Sequence, residues 1–241
     1  MSILASRIVA QLDLMAESKH KTRPRRDYLG ASVIGHPCDA YCAMELHGWP
    51  TLKKASTIRA GTLGSVIEYM VIQELRDAGF IVTANDPVTG EQFEFTFPAH
   101  GGVFLCHPDG FIAVYGEDYV LEVKSAKHSR FTKIVNNGVK RADPIYYDQV
   151  TAAMGLSSVH KAVFIVRDKD GGETHCEILE LDPFHWSYIQ TKIDRILGGE
   201  CQKISSTPEY YRCKQCDRAR WCWGRGAPPV GTWKPQEKPP S

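Results

Sequence analysis

Apolar residues recur at helical spacing near the start of the chain (Ile3, Ile8, Leu12, Met15). They do so again over 57–78, where Leu63, Ile67, Val71 and Leu75 form a four-residue stripe and Gly79 supplies a stop. The segment from Cys38 to Gly48 (CDAYCAMELHG) reads as a short helix closed by its glycine. Strand-like segments then follow in series: FIVTAN, EQFEFTF, GVFLC, GFIAVY and YVLEVK, bounded by Gly, Pro and Asp. Together they predict one sheet. A polar, basic stretch (KHSRFTKIVNNGVKR) leads into a helix over 144–156, and HKAVFIVRD and THCEILELD add two further strands. Asp182-Pro183 marks a helix start, a capping side chain followed by a residue whose missing N–H does no harm there, and Gly198-Gly199 marks its end. A helix, consecutive strands, then helix and strands again predict an α/β fold: a mixed central sheet flanked by helices, with an interrupted meander and not a doubly wound nucleotide fold.

At 241 residues, 43% hydrophobic and 24% charged, the chain is long enough for one sizeable core and is not a mostly disordered polymer. The reading is one domain with appendages. Residues 1–26 form an N-terminal helix and basic linker, because KHKTRPRR (19–26) carries five Lys/Arg; a phosphate-contacting arm is the other reading of that run. Residues 27–224 form the domain, and the Pro-rich 225–241 segment is expected to be disordered. A net charge of +1 means that any polyanionic partner must be met by a local patch. No apolar run approaches a membrane span, and the N-terminus lacks a signal-peptide core, so a cytoplasmic protein is expected. Thiols stay reduced there, and eight cysteines then read as buried residues and metal ligands, not disulfides.

The densest chemistry lies in HPDG (107–110) and LEVKS (121–125). Side chains alternate along a strand, so Glu122 and Lys124 share one face and Leu121 and Val123 the other. Asp109 joins them if the two segments pair as a hairpin. Two adjacent carboxylates repel each other and become comfortable around a hard divalent cation such as Mg²⁺ or Mn²⁺. A lysine beside that ion can orient water and offset charge developing on phosphorus. An exposed Glu/Lys pair is also a common feature of sheets in general. Two further residues add to the constellation: Glu68, one turn after Gly64 on the long helix, and Gln149 within IYYDQV. A surface helix glutamate explains Glu68 equally well on local grounds.

In this order the residues resemble the PD-(D/E)xK nuclease superfamily in its RecB-like branch. Gly64 and Glu68 match the first motif, Asp109 the metal-binding aspartate, Glu122 and Lys124 the central pair, and Tyr146 with Gln149 the last. The resemblance covers about 61–156. It implies that Glu68, Asp109, Glu122 and the Val123 carbonyl hold the metal, that Lys124 positions the attacking water, and that Gln149 orients the lysine or the DNA backbone. Glu68 stands where many members carry a histidine. The implied activity is exonuclease action on DNA ends or single strands in phage recombination, replication or repair, in the host cytoplasm, with recombination or replication proteins as partners.

Cys213, Cys216 and Cys222 form C-x2-C-x5-C in a segment with no aliphatic residues to bury, where metal ligation would supply order. A tetrahedral zinc or a cubane cluster wants a fourth ligand. Cys38, Cys42, Cys106, Cys176 and Cys201 are the candidates, and spacing does not separate Cys38 from Cys42. Cys106 and Cys176 lie in apolar strands and read as small core residues. One cysteine far upstream and three downstream is similar to the iron–sulfur members of the RecB-like branch, among them the AddB nuclease module, the nucleases of CRISPR adaptation and phage exonucleases. That resemblance implies a structural [4Fe–4S] cluster on Cys38, Cys213, Cys216 and Cys222, with zinc as the alternative. Arg212, Lys214, Arg218, Arg220 and Arg225 interleave with Tyr210, Tyr211, Trp221 and Trp223 around these cysteines. Such a pattern suits a single strand of nucleic acid, and shielding of the metal explains the tryptophans as well. Lys127, His128, Arg130 and Lys133 either line the approach to the carboxylates or form a solvated helix face; His36 and His107 read as hydrogen-bonded structural residues. A non-catalytic DNA-binding or assembly module and a structure-specific endonuclease are the rival readings.

Overall fold

The computed structural model describes residues 2–24 and 26–224. In chain order these form α1 (Ile3–Lys21), β1 (Leu29–Gly30), α2 (Ala31–Ile34), α3 (Asp39–Leu46), α4 (Ala55–Asp77), β2 (Ile81–Thr83), β3 (Phe95–Thr96), β4 (Phe104–Cys106), β5 (Gly110–Val114) and β6 (Glu117–Ala126). Then come α5 (His128–Asn137), α6 (Val139–Ala142), α7 (Pro144–Ser157), β7 (Lys161–Asp168), β8 (Thr174–Glu180), α8 (Pro183–Leu197), α9 (Tyr211–Lys214) and α10 (Ala219–Trp223). The Pro-rich 225–241 segment, expected to be disordered, lies outside the described residues, as does Arg225. No helix among the described residues is long and apolar enough to cross a membrane.

A five-stranded mixed sheet, β2-β5-β6-β7-β8, forms the spine. β5 and β6 are an antiparallel hairpin closed by a two-residue turn at Tyr115 and Gly116, both with positive φ. β6 then pairs with β7 in parallel, Glu122 opposite Phe164 and Lys124 opposite Val166. The connection between these parallel strands runs through α5, α6 and α7, as a parallel pair requires. The strands do not form one sheet. β1, β4 and β3 make a separate three-stranded sheet in which Leu29 and Phe104 pair in parallel. The polar stretch after β6 is two helices: Phe131 and Ile134 of α5 and Val139 of α6 turn inward while Lys127 and Lys133 stay exposed.

Burial sorts the faces of the spine. Val120, Ala162, Phe164 and Val166 face the larger core, shared with α7 and α8, while Leu121, Val123, Val163 and Ile165 face Val71 and Ile72 of α4. The α7 helix is buried continuously from Tyr147 to Met154, because it sits between both sheets, α2 and α8. β8 is an edge whose outer face is uncovered: Ile178 is exposed, and so is Cys176, which is therefore not a core residue. Asp182 caps α8 as its sequence predicts, accepting from the Phe184 and His185 amides.

The α2–α7 crossing depends on one glycine. A Cβ at Gly35 would lie 2.5 Å from Ile145 Cα and 2.9 Å from its carbonyl oxygen, both rigid backbone. Gly35→Ala should therefore cost ~1–3 kcal/mol in a urea melt, the usual range for overpacking. Since Ile145 is one turn before Gln149, the same variant should lose any activity that depends on Gln149.

Candidate functional site

Asp109 ends the approach to β5, and Gly110 fixes how closely it can come. Gly110 has φ +149°, and a Cβ there would lie 2.7 Å from the Thr83 carbonyl oxygen of β2. Only a residue without a Cβ fits both demands. With Gly110 opposite Leu121, the Asp109 side chain falls beside the middle of β6, where its Oδ2 accepts the Val123 N–H at 2.7 Å. The amide and carbonyl of one strand residue leave by the same edge, so the Val123 carbonyl also faces the Asp109 side.

Glu122 is fully buried, and Asp109 is only 8% exposed. Glu122 Oε1 accepts two donors, Lys124 Nζ and Gln149 Nε2, the latter at 2.7 Å. Its other oxygen, Oε2, is buried with no hydrogen-bond partner among the described residues. An orphaned buried carboxylate oxygen is costly and usually has a functional explanation. Glu68 arrives from α4 and shares a hydrogen bond with Asp109. The turn before it is open: an added Cβ at Gly64 meets only Ser125 Oγ, at 3.6 Å, and one at Gly61 meets nothing within 4 Å.

The electrostatics follow from this crowding. Burial, then repulsion from Asp109, raises the Glu122 carboxyl to about 8 against the opposing pull of Lys124. The same two causes raise Glu68 to about 7. Burial works against the Lys124 ammonium, but Glu122 and Asp109 outweigh it and lift the group above its ordinary value. Lys124 thus stays charged and can act as a hydrogen-bond donor, not as a base. Its ammonium also lies 5.6 Å from the Tyr146 ring centre, with Arg130 stacked on that ring at 4.2 Å. Arg130 in turn pairs with Asp143, which caps α7. Asp143 carries one local signal, the Asp-Pro that also marks Asp182; its tie to Arg130 is tertiary.

The fold thus brings together Glu68, Asp109, Glu122, Val123, Lys124, Tyr146 and Gln149. It does not bring the flanking cations along as a set. His128 pairs with Asp168 at 2.6 Å, and His107 pairs with Glu94 at 2.9 Å.

The cysteines gather elsewhere. Cys38, Cys213, Cys216 and Cys222 line one cavity of about 30 Å³, together with His36, Tyr41, Lys203 and Trp223. Cys42 does not: its thiol donates to the Val33 carbonyl at 3.2 Å, and Cys201 donates to Ile196 at 3.5 Å. All eight cysteines are free thiols, and among the described residues no three His, Cys, Asp or Glu groups converge as a ready-made metal cage. Burial pushes the Cys213 and Cys216 thiols up and Cys222 to about 12. Trp221 Nε1 donates to the Pro50 carbonyl, Trp223 lies under Lys203, and Arg218 is buried against Glu45 and Tyr41. These side chains hold the cysteine segment to the domain and are not a free stacking platform.

No family model and no curated protein matches the chain. Among solved structures, the alkaline exonuclease LHK-Exo from Laribacter hongkongensis is similar with a TM-score of 0.53 and 19% identity, over 72% of this chain and 88% of that one. Its complex with dAMP gives 0.52 and 21% over the same shares. SSO0001 gives 0.52 and 12%, over 89% of this chain and 96% of its own. At these identities the likeness establishes a shared fold.

Proposed function

We propose that this protein is a metal-dependent deoxyribonuclease of the PD-(D/E)xK type, in the RecB-like branch, acting as an exonuclease on DNA ends or single strands. The observation that carries the reading is the buried, partnerless Glu122 Oε2 beside Asp109, Lys124 and Gln149. A hard cation is what such an oxygen lacks, so the donor set fits Mg²⁺ or Mn²⁺. Asp109, Glu122 and the Val123 carbonyl would hold the ion, with Glu68 as a further oxygen ligand. When bound, the ion supplies a Lewis acid that acidifies water and stabilises charge on a pentavalent phosphorus.

The protein's own groups do the rest. Gln149 and Lys124 fix the Glu122 carboxylate in one rotamer, and the Asp109 carboxylate is fixed by the Val123 amide. Lys124, permanently charged, donates to the attacking water and offsets negative charge on the phosphate. Arg130, over Tyr146, is placed to meet a neighbouring phosphate. The dAMP complex of LHK-Exo is consistent with a deoxynucleotide product for this chain too.

We further propose that Cys38, Cys213, Cys216 and Cys222 hold a structural metal centre, a [4Fe–4S] cluster in preference to zinc. The support is that these four free thiols line one cavity, and a cation there would ionise the Cys213, Cys216 and Cys222 thiols, which burial otherwise raises.

The test is Mn²⁺- or Mg²⁺-dependent shortening of end-labelled single-stranded and duplex DNA by anaerobically purified protein, with iron, sulfide and zinc measured on the same sample. Cleavage by a brown protein supports both readings. Cleavage by colourless zinc-loaded protein removes the cluster alone, and DNA binding without cleavage favours an assembly module.

Metal binding should also depend on pH. Raised carboxyl pKa values mean that the metal-free folded state holds protons that the unfolded chain releases above about pH 4.5. Metal-free stability therefore falls as pH rises toward about 8, where the contribution is lost. Mn²⁺ replaces those protons, so the rise in Tm on adding Mn²⁺ should be larger at pH 8.5 than at pH 6.0. Equal shifts at both pH values would show that the ion binds elsewhere.

A further inference from the structure

A second feature lies at the other end of α4. The C-terminal end of α1 and the 48–54 loop enclose a groove of about 670 Å³, lined by six cationic side chains (Lys21, Arg23, Arg26, Lys53, Lys54, Arg218) against two carboxylates, Glu17 and Glu45. Glu45 is engaged by Arg26 and Arg218, and Glu17 accepts the Ala55 N–H. Lys21, Arg23, Lys53 and Lys54 have no ion-pair partner among the described residues.

This arrangement is electrostatically unfavourable as it stands. Lys53 and Lys54 sit at the positive end of a 23-residue helix whose first turn has no acidic residue and whose Lys54 makes no capping bond. Inside the groove, His20 is held below its ordinary pKa by burial and by Lys53 and Arg23, only partly offset by Asp217. Arg218 is 3% exposed, and its Nη1 has no hydrogen-bond partner among the described residues. Four cations without ion-pair partners among the described residues, gathered in one groove, call for an anion. Trp49 supplies aromatic surface in the same groove.

The groove connects to the carboxylates along α4. Lys54, Gly61 and Glu68 are seven residues apart, so they fall within about 20° of one another at each step along one helix face. The span from Lys54 to Glu68 is about 20 Å, fourteen residues at ~1.5 Å each. Gly61 and Gly64 leave that stripe without bulky side chains.

We propose that this groove binds the backbone of single-stranded DNA and that the Gly61–Gly64 stripe of α4 conducts the strand to the carboxylate site. The inference rests on the nuclease reading and extends it to where the substrate is held. The phosphates lie against Lys21, Arg23, Lys53 and Lys54, and bases meet the Trp49 face.

The test is fluorescence anisotropy with labelled (dT)20 at several salt concentrations, in a Glu122→Gln background so that nothing is cut. Lys53→Glu/Lys54→Glu should weaken (dT)20 binding about tenfold or more and flatten the log–log salt slope by about 1.4, two phosphate contacts on a single strand. Acidic residues at a helix N-terminus are favourable, so the fold should hold, which thermal melting checks. If the slope and (dT)20 affinity are unchanged while the parent protein cleaves DNA, the groove assignment is overturned and the nuclease reading stands. If the double variant weakens binding but the parent never cleaves, the groove stands and the nuclease reading falls.

Discussion

Glu122→Gln should lower metal-dependent DNA cleavage by about 10³-fold or more, with the fold and melting temperature preserved. Glutamine has nearly the same shape, and its carbonyl oxygen can still accept from Lys124 and Gln149. What it removes is a fully buried negative charge that the metal-free protein already carries reluctantly. Lys124→Met should reduce cleavage by a similar ~10²–10³-fold, but for a different reason and with a different stability signature. Taking the ammonium away leaves Glu122 buried without its cation, the situation that makes breaking a buried pair cost ~3–5 kcal/mol. Glu122 can escape part of that cost by taking up a proton, so the destabilisation should be small at pH 6 and larger at pH 9. Glu122→Gln/Lys124→Met should then regain stability without regaining activity. Undiminished cleavage by purified Glu122→Gln would defeat the active-site assignment.

The constellation was legible in the sequence because most of it is local. Glu122 and Lys124 share a face by strand alternation, and Asp109 reaches them through a hairpin whose turn lies within a few residues. Glu68 was flagged by its place one turn after Gly64 and Gln149 by its helix, but their meeting with Glu122 and Asp109 is tertiary, and the family resemblance supplied their roles. Less visible were contacts with no local signature. The β1–β4 pairing joins residues 75 apart in sequence through two-residue matches, too short for any period to appear, so one expected sheet became two. Cys176 reads as core because its strand is apolar, yet β8 is an edge and burial there depends on what lies across the sheet. The basic run after residue 18 has no intrinsic partner. It becomes half of a groove only when the 48–54 loop folds against it.

Tertiary position also separates Cys38 from Cys42, which spacing leaves equal: Cys38 lines the cavity of the other three cysteines and Cys42 does not. Cys38→Ala should abolish binding of metal at the cysteine cavity, and Cys42→Ala should leave it intact. Cys38 is the residue that caps α3 and faces Cys213, Cys216 and Cys222, whereas the Cys42 thiol is turned into the core against Val33. Losing Cys42 removes one small buried group, a cost of ~1 kcal/mol. On the proposed metal centre, losing Cys38 would remove a ligand, and structural zinc centres contribute ~10–16 kcal/mol to ordering their surroundings. The segment at 201–224 has little else to rely on. It is tied down by the Ala40 amide on Gln202, the Leu52 amide on Asp217, the Arg218–Glu45 pair and the Trp221 bond to Pro50, with few aliphatic side chains buried. Cys38→Ala should therefore be protease-sensitive within 201–224 as well as metal-poor, while the β5–β6 hairpin, which owes nothing to the cysteines, should persist. Metal analysis with limited proteolysis reads both effects, and a fully loaded, resistant Cys38→Ala protein would move the fourth ligand to another residue.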